Sequence, residues 1–219
     1  MEGRFRRLHE AARRTAALHR LAVISRILLA LAFVPTALVK VQGKRFTSIS
    51  VQEPIGYFFE ALYQSGFYWR FLGLSQLVAG ALLLIPSTST LGAVLFLPII
   101  LNIFVITVSL HFTGTPVITG LMLLASLFLV CWDYHRLAAI VWGARGGYEV
   151  PASPVFPGIE RAGYALGASA AMVLLFSARG LAVGGPMRVM LVSAVGAAVL
   201  ACLMVIAGWR IAAGGPLRT

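Results

Sequence analysis

Charge is what this sequence has least of. Only 11% of its 219 residues are Asp, Glu, Lys or Arg, against about 25% in soluble domains. With 59% hydrophobic residues and a mean hydropathy of +0.90, so few charges cannot cover a soluble surface, and a soluble fold is excluded. Acids are scarcer still, 7 against 18 Lys and Arg, for a net charge of +11. In a soluble protein that excess would point to nucleic acid. Here it reads as membrane topology and anionic lipid headgroups, with no nucleic-acid partner. Cysteine is limited to Cys131 and Cys202, with no CxxC. That excludes a disulfide framework, a thiol redox pair and a structural zinc site.

What is present is apolar length. No Asp, Glu, Lys or Arg occurs from Phe71 to Trp132, 62 residues, and a bilayer core about 30 Å thick takes roughly 20 per helix. Polar turns at Pro86–Thr90 and Thr113–Pro116 cut the run into helices near 69–86, 91–112 and 116–134. A first span near 21–41 has Arg26 close to one end and Lys40 at the other, where long side chains snorkel. Arg161 and Arg179 bracket a fifth span near 162–178, and Arg188 and Arg210 a sixth near 188–209. The fold class is an all-α integral membrane protein, a four-helix transmembrane core plus a C-terminal two-helix hairpin.

The remaining segments follow. Residues 1–20 hold Arg4, Arg6, Arg7, Arg13, Arg14 and Arg20 between apolar residues and read as a basic surface helix that meets anionic lipid, or as a solvated arm. Residues 21–136 form the core. Within it, Val51, Ile55, Phe58, Phe59, Leu62 and Tyr63 recur at helical spacing, so 53–66 is expected to be an amphipathic helix on the outer face, with Pro54 in its first turn. Residues 137–161, rich in Gly and Pro, form an inner linker; 162–210 form the hairpin and 211–219 a tail. With both termini inside, eleven basic residues fall on the inner side and six on the outer, leaving Arg26 near the inner end of its span. This predicts cytoplasmic termini; the expected location is a bacterial cytoplasmic membrane.

Polar residues inside the spans are the candidate site. Gln76 lies about 12.5 residues before the centre of the turn at Thr88–Ser89 and Asn102 about 13.5 after it, so an antiparallel hairpin puts them at nearly equal depth. A Gln76–Asn102 hydrogen bond is expected. It serves either as packing glue or as a polar contact for a quinone, a lipid headgroup or a small substrate. Pro98 breaks the ladder beside Asn102, either as a cavity-lining kink or as a packing feature. Thr107 and His111 share a face four residues apart, and His111 is close in depth to Lys40, Glu60 and Arg70. The histidine either binds a quinone carbonyl or is satisfied by a backbone carbonyl. With no second His at i+3 or i+4, metal binding is not expected. Arg26 needs a partner within the membrane, and Asp133 is the acid nearest in depth, so a structural ion pair is expected there. Small residues at Gly163, Gly167 and Ala171, and at Ala194 and Ala198, make faces for close helix contact.

Several of these stretches resemble the DoxX-like family of small four-helix membrane proteins. The resemblance is carried by Arg26-Ile27-Leu28-Leu29-Ala30 with Lys40 and Lys44 after it, by the run from Phe71 to Pro86, by Leu97-Pro98-Ile99-Ile100-Leu101-Asn102, by His111 to Pro116, and by Trp132-Asp133-Tyr134-His135-Arg136. It covers about half of the chain. The resemblance implies a four-helix core and an association with membrane oxidoreductase systems, thiosulfate:quinone oxidoreductase among them. Spans five and six lie outside it.

No catalytic residues are assigned: there is no nucleophile with its base, no paired carboxylates, no pair of haem histidines and no phosphate loop. The chain is therefore read as an accessory or structural subunit of a larger, redox-linked membrane complex and not as an enzyme on its own, with other subunits or further copies as partners. The alternatives are a quinone-interacting oxidoreductase subunit that uses Gln76, Asn102, Thr107 and His111, with quinone as cofactor, and a small-molecule carrier. Against the carrier stands the lack of an internal repeat or paired broken helices.

Overall fold

The computed structural model describes residues 2–143, 150–152, 154–179 and 187–214, and among these every regular element is a helix. In order they are α1 (Glu2–Arg13), α2 (Ala16–Val41), α3 (Pro54–Gln64), α4 (Phe67–Leu84), α5 (Ser89–Ser109), α6 (Thr115–Trp132), α7 (Tyr134–Trp142), α8 (Gly158–Ala178) and α9 (Met187–Gly214). Six of them, α2, α4, α5, α6, α8 and α9, are long and apolar enough to cross a membrane. The protein is an all-α, multi-pass membrane protein. It divides into two compact units, Met1–Ser153 and Pro154–Thr219.

In the first unit α2 packs on α4, α4 on α5, α5 on α6, and α6 returns to α2. The ring closes around Leu29, Phe33, Leu83, Phe96, Ile100 and Leu129, all buried. Phe33 and Phe96 meet edge-to-face with ring centroids 4.4 Å apart. Lipid is as apolar as leucine, so close packing drives helix association here, and small residues provide it. A Cβ on Gly73 would lie 2.8 Å from the Val41 nitrogen of α2, and one on Gly92 would lie 2.6 Å from the Leu83 nitrogen of α4. The amphipathic segment forms α3, within the expected 53–66, with Pro54 in its first turn.

The bounds of two expected segments are corrected. The N-terminal arm forms a helix, α1, with Arg6, Arg7, Leu8 and Ala11 exposed. Residues 16–20 already belong to the first span, and α1 folds back on α2 with His9 and Arg13 buried. The inner linker 137–161 begins inside α7 and ends inside α8, because Pro157 stands just ahead of the first helical turn of α8. Its Arg145, Gly146 and Gly147 lie outside the described residues, as do Arg218 and most of the expected tail.

In the second unit the Gly163 and Gly167 stripe packs within the hairpin. A Cβ on Gly163 would lie 2.9 Å from Val205 and 3.0 Å from the Ala201 carbonyl oxygen, and one on Gly167 would lie 3.3 Å from the Ala201 Cβ. This face therefore seats α8 on α9, while of the second expected pair Ala194 is buried and Ala198 exposed. With Cys131 and Cys202 replaced by Ser, cysteines at Gly167 and Ala201 are expected to oxidise readily, since that spacing nearly meets disulfide geometry. Adding Gly163→Leu, an overpacking change of about 1–3 kcal/mol, is expected to abolish the bond. Gly196→Leu, which meets nothing within 4 Å, is expected to leave it intact.

Candidate functional site

The densest polar cluster sits where α6 breaks into α7. Asp133 occupies the junction, its carbonyl accepting the backbone N–H groups of Arg136 and Leu137. Its carboxylate turns inward and is 2% exposed. Arg26 of α2 donates to Oδ2 over 3.2 Å and Thr90 of α5 over 2.8 Å. Arg13 of α1 reaches Oδ1 at 3.8 Å, and Arg136 donates to the Thr90 hydroxyl over 3.1 Å. One carboxylate thus ties α1, α2, α5 and the α6–α7 junction together. A buried charge is tolerated only with such partners.

Trp132 supports the cluster. Arg13 lies 4.5 Å from its ring centroid, and His19 meets the ring edge-on at 4.7 Å. His9 Nε2 is 3.0 Å from the Trp132 carbonyl oxygen, and His19 Nε2 is 2.8 Å from that of Arg13. These contacts are why α1 docks against protein. Burial first, and the Arg13 charge second, push the His135 imidazole down to about 4. The unfolded chain takes up that proton near pH 6.5, so this contribution is complete above pH 6.5 and is lost as pH falls toward 4. The thermal midpoint of the detergent-solubilised protein is expected to drop between pH 7 and pH 4.5. His135→Phe is expected to flatten that fall, and an unchanged slope would contradict the assignment.

At the other end of α2, Lys40 does not snorkel. It is 7% exposed and donates to Gln76 Oε1 over 3.0 Å. Its ammonium lies 4.5 Å from the Phe46 ring centroid and 5.5 Å from that of Trp69, the aromatic setting that favours a desolvated cation. Trp69 in turn donates its indole N–H to the Lys44 carbonyl over 3.0 Å. Nearby, Arg45 and Glu60 form a two-pronged pair with both contacts at 2.8 Å. Hydrogen bonds from Arg45, then from Gln64, hold the Glu60 carboxyl at about 2. A shallow cleft, open to solvent and enclosing only about 10 Å³, lies between Arg45, Phe46, Ile49, Phe59, Glu60 and Tyr63. That is room for about one water molecule.

The four residues expected to share a site have separate surroundings. Gln76 is buried against Lys40, while Asn102 is exposed on the outer side of α5. The expected Gln76–Asn102 bond is therefore corrected: the depths match, but the side chains leave their helices in different directions. Thr107 is buried and meets the Thr119 hydroxyl at 3.0 Å, tying α5 to α6. His111 is exposed in the turn after α5, at a left-handed φ of 51°. Nor do Lys40, Glu60, Arg70 and His111 gather beneath α3. Lys40 is held by Gln76 and Glu60 by Arg45, and the Arg70 guanidinium packs against Gly43.

Sequence reasoning missed Arg13, Thr90 and Arg136 around Asp133. It also left Glu160 in the inner linker, ahead of the fifth span. Glu160 is fully buried in the second unit, accepting from Trp209 Nε1 over 3.1 Å and from the Tyr164 hydroxyl over 3.2 Å. Gly208 makes room for it, since a Cβ there would lie 2.4 Å from the Glu160 Cβ. No group of three or more His, Cys, Asp or Glu suited to a metal ion occurs among the described residues.

Against known proteins, the chain is 36% identical over 73 residues to the uncharacterized protein YwoB of Bacillus subtilis (strain 168), a stretch covering 33% of this chain and 47% of that relative. The chain thus spans about half the length of the curated relative it matches. No family model matches, and no solved structure matches.

Proposed function

We propose that this chain is an accessory, structural subunit of a larger membrane complex, redox-linked as the DoxX-like resemblance implies. The observation that carries the reading is the use made of the buried polar groups. Asp133 joins Arg13, Arg26 and Thr90, Lys40 joins Gln76, and Thr107 joins Thr119. Each set links different helices. In the proposed orientation the Asp133 end faces the cytoplasm of a bacterial cell, with both termini on that side. Arg7 and Arg14, exposed on and just after α1, then meet anionic lipid, at about 1 kcal/mol per basic residue near the surface.

A second reading, a quinone-contacting subunit, is favoured by the exposed His111, whose imidazole can meet a quinone carbonyl. One preparation separates the two. Purified in mild detergent from its own membrane, the chain is expected to carry larger subunits in fixed ratio. Bound quinone lost on His111→Ala supports the second reading, and a monomer with measurable turnover contradicts the first. Orientation is tested by labelling a cysteine at Ser87, expected from the cytoplasmic side; labelling only from outside reverses it.

A further inference from the structure

One face of α5 is left uncovered by the other helices of the first unit. Leu91, Leu95, Pro98, Asn102, Val105 and Ser109 are all exposed. They are spaced by four, three, four, three and four residues. This is the a/d repeat of a left-handed helix pair, with crossing angles near 20° common in membranes. Asn102 is three residues past the middle of the 21-residue helix, roughly 4.5 Å along the axis. There its amide, with two donors and one acceptor, faces hydrocarbon that offers it nothing. The same face holds a second polar group in need of a donor. Pro98 has no N–H, so the carbonyl of exposed Val94 lacks its helix partner.

We propose that this face of α5 pairs with α5 of a second copy of the chain, in parallel and about a twofold axis along the membrane normal, with Asn102 hydrogen-bonded to Asn102. Two copies inserted in the same sense place Asn102 at the same depth without further adjustment. An amide both donates and accepts, so it complements itself across a twofold. A partner of another sequence would need its own polar group at that depth and rotation. The proposal stands apart from the subunit reading and is tested separately from it.

The test uses the full chain in lipid vesicles, with Cys131 and Cys202 replaced by Ser and single cysteines returned at Leu95, Val105 or Leu124. Mild oxidation is expected to give a species of twice the 23.4 kDa chain mass from Leu95 and Val105. Leu124, 62% exposed on α6, is expected to give little. Asn102→Leu is expected to weaken self-association by about three- to tenfold, the scale of one interhelical hydrogen bond, while Asn102→Gln keeps most of it. Leucine also suits the span, so this variant does not endanger insertion. Equal cross-linking at Leu124, monomers throughout, or undiminished pairing of Asn102→Leu would each overturn the proposal.

Discussion

Asp133→Asn is expected to destabilise the first unit by about 3 kcal/mol. Removing one partner of a buried ion pair costs roughly 3–5 kcal/mol, because the charge left behind has lost its compensation. The lower end applies because the Arg26 side chain keeps 18% of its surface exposed. The loss has a local signature as well. Arg13 faces the Asp133 carboxylate from α1, so α1 is expected to lift from the bundle. Trypsin then gains access to the bond after Arg14, which is exposed just beyond the helix. Denaturant unfolding in detergent gives the first quantity and timed proteolysis the second. Unchanged proteolysis at that bond would mean that α1 is held by other contacts.

The second largest effect is expected at the opposite end. Gln76→Leu takes from the Lys40 ammonium its nearer acceptor, at 3.0 Å against 3.5 Å for the Thr36 carbonyl, at a cost of about 1.5–3 kcal/mol for a hydrogen bond to a charged group. Adding Lys40→Met removes the buried charge itself and is expected to restore most of that loss, since an apolar pair of similar shape is close to neutral. Asn102→Leu in the monomer is expected to cost almost nothing, because Asn102 is exposed. The ordering of Gln76→Leu against Asn102→Leu, read as thermal midpoints at high detergent dilution, checks the corrected pairing. Equal losses would restore the expected Gln76–Asn102 bond.

That pairing shows what the sequence contains and what it does not. Depth is legible: polar turns punctuate the apolar run, and counting from them puts Gln76 and Asn102 level. Rotation about the helix axis is not. In a soluble helix the apolar stripe reveals the inner face, but α4 and α5 are apolar all round. Gln76 shares its face with Gly73, Gly80 and Leu83, which are buried, and Asn102 shares its face with Leu95 and Val105, which are exposed. Nothing in either stretch alone distinguishes the two situations.

The Arg26–Asp133 contact was legible for the opposite reason. An arginine within a span needs an acid, and Asp133 is the one nearest in depth. Arg13 was not, because six similar arginines crowd the first twenty residues and only tertiary packing selects one. The stripes at Gly163 and Gly167 were correctly read as close-contact faces, but a stripe does not name its partner, and the partner is α9. Glu160 escaped notice because Pro157-Gly158 looks like linker, whereas it stands at the start of α8.

The central claim is that the buried polar groups hold helices together and the chain acts through assembly. It is tested most directly by replacing Arg13, Arg26 and Asp133 together with Leu and measuring how much chain is recovered in its native complex. Well-packed apolar residues often replace a buried ionic cluster at no loss of stability. The account predicts a folded chain and undiminished recovery of the complex with its activity intact. A folded, assembled complex that has lost its activity would contradict it, because the cluster would then be taking part in the chemistry.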